Sequence, residues 1–132
     1  MDVLTINSRA REEFIEITRE VEAALRGLGA GSGFAHLFCR HTTAGLTVNE
    51  NADPDVRRDM LLALSRIVPQ DLPYRHAEGN SAAHVKASLM GSALTLPVRG
   101  GRLALGRWQG VYFCEFDGPR NGREVEVSFI GS

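Results

Sequence analysis

The pattern of apolar and polar positions divides the chain into a series of short elements. Val3-Leu4-Thr5-Ile6 predicts a strand within 1–7. Ser8 then stands where a cap would stand, and Phe14, Ile17, Val21, Leu25 and Leu28 recur at spacings of three and four. Charges fill the positions between them, so the spacing predicts an amphipathic helix over 9–26. The glycine-rich stretch 27–33 breaks it. Gly33-Phe34-Ala35-His36-Leu37-Phe38-Cys39 is short, apolar and aromatic, and reads as a buried strand. After a polar stretch, Leu46-Thr47-Val48 predicts a further short strand. Asp53-Pro54 then marks a helix start: Asp accepts from free first-turn amides, and Pro needs no partner for the N–H it lacks.

That helix, over 54–68, carries Val56, Met60, Leu64 and Ile67 on one face. Pro69 and Pro73 end it and open an irregular polar and aromatic passage. Asn80 is placed to cap a helix over 81–90, which Gly91 stops. On that helix His84 and Ser88 share a face, and Ala82, Val85 and Leu89 lie on the opposite, apolar side. The remainder predicts strands: 93–98, a hairpin turn at 99–102 with its return at 103–105, then 110–117 and 124–130. Such an order predicts a single α+β domain spanning 1–132, mostly antiparallel sheet with about three helices.

Composition limits the function classes. A chain of 132 residues holds one core. Lys and Arg number 15 against 16 Asp and Glu, and the net charge is -1. No basic stripe favours nucleic acid, so an anionic ligand must be caught locally. No apolar run approaches the roughly 20 residues of a membrane span, and the first residues lack a signal-peptide pattern. The expectation is a cytoplasmic protein. Cys39 and Cys114 sit in apolar runs without metal-ligand spacing, as buried free thiols do. The GLGAGSG stretch lacks the Lys-Ser/Thr and the following helix of a phosphate loop, and reads as a flexible turn.

The chemistry concentrates in Arg40-His41-Thr42-Thr43-Ala44-Gly45-Leu46-Thr47-Val48-Asn49-Glu50-Asn51-Ala52-Asp53-Pro54, between one strand and one helix. His36 is mid-strand and reads as structural. His41, His76 and His84 occupy polar, turn-rich contexts. Three such imidazoles either converge on a zinc-like ion or stand apart as surface and capping residues; their spacing carries no local metal signature. Glu50, Glu78, Glu115 and Asp117 are candidate acid–base groups. Glu115, in an apolar strand, is either desolvated with a raised pKa or ion-paired with Arg120 or Arg107. Arg120 suits bidentate capture of phosphate or carboxylate, or pins its own turn. The helix start at Gly79-Asn80-Ser81 offers amides to an anion.

Six motifs occur in order: His41-Thr42-Thr43-Ala44, Asn49-Glu50-Asn51-Ala52-Asp53-Pro54, Glu78-Gly79-Asn80, Ala83-His84-Val85-Lys86-Ala87-Ser88, Leu105-Gly106-Arg107-Trp108-Gln109-Gly110 and Glu115-Phe116-Asp117-Gly118-Pro119-Arg120. Together they resemble the YjbQ family over nearly the whole chain. That family is linked to a secondary thiamine-phosphate synthase activity. The resemblance implies a compact α+β homotrimer with a polar cavity near the subunit contacts, lined by His41, Glu50, His76, His84, Gln109 and Arg120. For that chemistry His41, Glu50 and Glu115 are the candidate catalytic groups. Thr42, Asn51, Asn80, Lys86, Gln109 and Arg120 are the candidate contacts to a small phosphorylated metabolite. A divalent ion, zinc or magnesium, would sit on His41, His76 and His84, with no organic cofactor. The alternatives are a non-catalytic binder of a phosphorylated metabolite or metal, and a metal-dependent hydrolase. Two departures bear on substrate choice. Ser81, Ala82 and Ala83 stand where the family often has an acidic residue, and Arg107 replaces a small polar one.

Overall fold

The computed structural model describes residues 1–132. Strands β1 (Asp2–Ile6) and β2 (Glu13–Glu16) precede helix α1 (Thr18–Gly27); β3 (Gly33–Cys39) and β4 (Ala44–Glu50) follow it. Helices α2 (Pro54–Ile67) and α3 (Ser81–Met90) lead into β5 (Ala93–Arg99), β6 (Arg102–Leu103), β7 (Gln109–Glu115) and β8 (Arg123–Gly131). One sheet has the order β1-β8-β3-β5-β6 and the other β2-β7-β4, and every pairing is antiparallel. No helix is long and apolar enough to cross a membrane.

Two apolar layers follow from this. The first lies between the sheets and α1: Leu37, Val98, Val125 and Val127 from one sheet meet Leu46, Val111 and Phe113 from the other, with Val21 and Leu25 beneath. The second lies on the opposite face of the small sheet. There Phe14, Tyr112, Cys114 and Phe116 meet Leu64 of α2 and Ala83 and Ala87 of α3. Alternation explains how one strand serves both layers, because Phe113 points one way while Tyr112 and Cys114 point the other.

The helix expected over 9–26 is a correction. Glu13 to Glu16 form β2 against β7, and only from Thr18 does the chain turn helical. Phe14, Ile17, Val21 and Leu25 are all buried, as the spacing requires. Yet the side of β7 not paired with β4 supplies a ladder that local helix propensity does not outweigh. Ser8 caps nothing; its hydroxyl donates to Glu115 at 2.7 Å.

Asp53 caps α2 through its side chain, accepting from the Asp55 amide at 2.9 Å. Of the four residues expected inward on α2, only Leu64 is buried, while Ile67 is 67% exposed. Helix α3 departs further: it buries Ala82, Ala83, Lys86 and Ala87 and leaves Val85 and Leu89 exposed. Small alanines allow close approach to the small sheet. At Gly45 on β4 an added Cβ would lie 2.8 Å from the Gly91 carbonyl oxygen and 2.9 Å from Met90 Cβ. The absent side chain lets the end of α3 rest on the strand.

Candidate active site

The connection between β3 and β4, the first turn of α3, the passage before it, the segment between β7 and β8 and the start of β8 line a cavity of about 400 Å³. His41, His76, His84, Asn80, Arg120 and Arg123 are among its lining groups, together with Arg40, Thr42, Thr43, Glu78 and Asp117. A second hollow of about 460 Å³ adjoins it, sharing His41, Thr42 and His84 and reaching Ser88 and Ser92.

The floor is a buried polar network. Arg123 forks onto Glu115, with Nε 2.9 Å from Oε1 and Nη2 on Oε2, and Nη2 also donates to the Thr43 hydroxyl at 2.9 Å. Ser8 donates to the same carboxylate, as does the Asp117 amide at 3.0 Å. Burial pushes the Glu115 carboxyl upward, but the bonds from Arg123, Ser8 and Asp117 outweigh it and hold it below its ordinary range. Glu115 is therefore a fixed anion with its lone pairs occupied, and the proton-moving role expected of it does not fit. Its partner is Arg123, neither Arg120 nor Arg107.

Arg120 stands at the rim. Its Nε donates to the Asp117 carbonyl at 2.9 Å and its Nη2 to the Asp117 carboxylate at 3.0 Å. Nη1 is left with no protein partner. Asn80 donates to that carboxylate too, at 2.8 Å. Burial raises the Asp117 carboxyl, and the bonds from Asn80 and Arg120 bring it below its usual value. Asn80 thus uses its side chain on Asp117 and does not cap α3, whose first turn carries no side-chain cap and no acidic residue. Its Oδ1 is buried without any partner, a deficit of roughly 1–3 kcal/mol unless a donor reaches it.

His41 accepts the Glu124 amide at Nε2, at 2.7 Å. Burial lowers its pKa, and the neighbouring Arg123 adds to that. His76 and His84 meet edge to face with ring centroids 5.5 Å apart, and His76 Nε2 lies 3.9 Å from Glu78 Oε1. All three imidazoles line the one cavity, yet no group of three or more His, Cys, Asp or Glu is placed to hold a metal ion. His41 binds an amide proton with the lone pair that an ion would need. The expected three-imidazole ion does not fit this donor set.

The chain matches the UPF0047 protein YjbQ-like family over residues 2–132. This chain belongs to that family. It is 54% identical to UPF0047 protein YugU of Bacillus subtilis over 132 residues, 99% of each chain. It is 43% identical to UPF0047 protein YjbQ of Salmonella typhimurium over 124 residues, 89% of each. The crystal structure of a YjbQ/UPF0047 family protein from Clostridium acetobutylicum superposes with a TM-score of 0.95 at 49% identity, covering 98% of this chain and 100% of its own. The conserved hypothetical protein TT1486 from Thermus thermophilus gives 0.92 at 49% identity, with the same coverage.

In this UPF0047 chain several expected site residues lie away from the histidines. Glu50 pairs in register with Gln109 at the far end of β4 and β7, whereas Ala44 pairs with Glu115 at the near end. Six residues of strand separate the two ends by roughly 20 Å. Glu50 has no place at the cavity; its carbonyl accepts the Tyr112 hydroxyl at 3.0 Å. Asn51 donates to Glu16 at 2.9 Å, and Gln109 accepts the Gly106 amide at 2.8 Å. Lys86 is turned to the other side of α3, with Nζ 2.5 Å from Glu12. Of the expected phosphate contacts, Thr42, Asn80 and Arg120 line the cavity.

Sequence reasoning missed Arg123, which opens β8. Its neighbours Gly122 and Glu124 gave no sign of burial. The available signal was Glu115: a carboxylate in the middle of an apolar strand requires a cation nearby.

Proposed function

We propose that this UPF0047 protein is a transferase of thiamine-phosphate-synthase type, joining a pyrimidine diphosphate to a thiazole phosphate. The observation that carries the reading is the Arg120 guanidinium, held by Asp117 on two edges with Nη1 unpartnered, beside the uncapped start of α3. A fixed cationic edge and a helix N-terminus together suit phosphate oxygens.

In such a reaction the bond between the pyrimidine methylene carbon and the diphosphate oxygen breaks, and its electron pair leaves with the diphosphate. The thiazole nitrogen supplies the pair for the new C–N bond. Arg120 and the α3 amides would bind the departing charge. No residue need act as a strong base, consistent with the occupied state of Glu115.

We also propose assembly into a homotrimer. On the outer face of the large sheet Phe34 and Ile130 are register partners and are 53% and 67% exposed, with Phe38 nearby. Exposed apolar rows of this kind favour coverage by another chain. A metal-dependent hydrolase is the weaker reading, because His41 would have to release the Glu124 amide to bind an ion.

The test is to incubate purified protein with the two precursors and to follow thiamine phosphate and released diphosphate. Arg120→Ala should raise KM about tenfold or more while the fold persists, the loss expected for a charge-assisted bond. No product from the parent protein would leave the non-catalytic binding of a phosphorylated metabolite as the reading to pursue.

A further inference from the structure

We propose that His41 serves the cavity as a fixed hydrogen-bond donor through Nδ1–H, selecting an acceptor atom such as a phosphoryl oxygen, and is neither the base nor a metal ligand there. The placement of the proton follows from the Glu124 amide. A backbone N–H can only donate, and it points at Nε2 from 2.7 Å. Nε2 must therefore present a lone pair, and a neutral imidazole then carries its hydrogen on Nδ1. Protonating the ring would set two N–H groups against each other and place a second cation beside buried Arg123.

No protein group accepts from Nδ1, while the His41 ring lines both adjoining hollows. The donor is therefore left for whatever enters. Glu124 is held in turn: its carbonyl accepts the Arg40 amide at 3.4 Å, and its neighbour Arg123 is anchored on Glu115 and Thr43. The ring is thus oriented by the same buried network that forms the cavity floor. An arrangement of this kind discriminates between ligands by hydrogen-bond polarity: an acceptor at that point is bound, and a donor or a cation is refused. The choice of a phosphoryl oxygen rests on the phosphate reading given above; the position of the proton does not.

Two isosteric substitutions separate the two nitrogens. In His41→Gln the amide oxygen lies near the former Nε2 and keeps the bond from Glu124, but the donor at the Nδ1 position is lost. In His41→Asn the side-chain NH₂ takes the Nδ1 position, and the acceptor for Glu124 is lost. Calorimetric titration with sodium pyrophosphate in EDTA should show His41→Gln weakened about tenfold or more, with His41→Asn within about fivefold of the parent. Long-range ¹H–¹⁵N spectra of the parent at pH 7.5 should show one histidine, absent in His41→Gln, with protonated Nδ1 and unprotonated Nε2. Adding zinc ions alone should leave that signal unmoved. A proton on Nε2, a zinc-induced shift at His41, or a greater loss in His41→Asn than in His41→Gln would each overturn the proposal. If the parent binds no pyrophosphate, the phosphate reading and the chosen acceptor fall together, and the spectra still decide where the proton is.

Discussion

Ser8 donates its hydroxyl to Glu115 at 2.7 Å across 107 positions of sequence. The same oxygen accepts the Arg120 amide at 2.8 Å, and the Ser8 amide donates to the Arg120 carbonyl at 2.8 Å. One small side chain thus ties the N-terminal segment to the cavity floor and to its rim.

Removing the anion at the centre of that knot should be costly. Glu115→Ala leaves Arg123 buried without its partner, and should lower stability by about 3–5 kcal/mol in urea unfolding. Glu115→Gln keeps a carbonyl for one of the donors and should lose less.

Acid should act on the same groups. Glu115 and Asp117 are held below their ordinary values of 4.5 and 3.8. Their contribution is complete above those values and is lost as pH falls through the lower folded-state ones. His41, depressed from 6.5, acts in the same direction: the unfolded chain takes up its proton first, so stability falls as pH drops below about 6.5. Urea midpoints should therefore decline from pH 7 to pH 3, and Glu115→Gln should flatten the lower part of the curve.

Lys86 separates the sequence expectation from the structure. It is buried and paired with Glu12, so Lys86→Ala should lower stability by about 1–3 kcal/mol. Pyrophosphate affinity per folded molecule should stay within twofold of the parent. A selective loss of affinity would place Lys86 at the phosphate after all.

The fit of α3 onto β4 predicts the effect of one methyl group. In Gly45→Ala the new Cβ would overlap the Gly91 carbonyl and Met90, so α3 must shift. The expected cost is about 1–3 kcal/mol, with a changed chemical environment at His84 in NMR spectra.

Assembly is checked by light scattering, where the parent should give three times the 14.4 kDa chain mass. Ile130→Lys, on the outer face of the large sheet, should reduce that mass without unfolding the chain. A parent of single-chain mass at micromolar concentration would sink the trimer.

Much of this architecture was legible in the chain. Asp53-Pro54 started a helix, Gly91 ended one, and the alternation in β8 separated inward Val125 and Val127 from outward Glu124 and Glu126. Phe14 shows the limit. Its burial was readable from spacing, but its conformation was decided by pairing with Cys114 on β7, a hundred residues away. Val85 and Leu89 show another limit: helix periodicity identifies a face, but does not say that alanines, and not the larger residues, will meet the sheet. At the site, His41, His76, His84 and Arg120 were readable because polar, turn-rich segments carried them. Arg123 and the distant position of Glu50 depended on strand register, which no local pattern contains.

Strands β1 and β8, far apart in sequence, pair with each other, and the rim of the cavity joins Ser8 to Arg120 across 112 positions. During synthesis, at roughly 5–20 residues per second, Ser8 waits on the order of 6–20 s for its partner to be made. Until β8 has been made, β1 has no strand partner and Glu115 lacks the Arg123 guanidinium. The cavity floor therefore closes only after that strand is in place, and a ligand cannot assist folding before then.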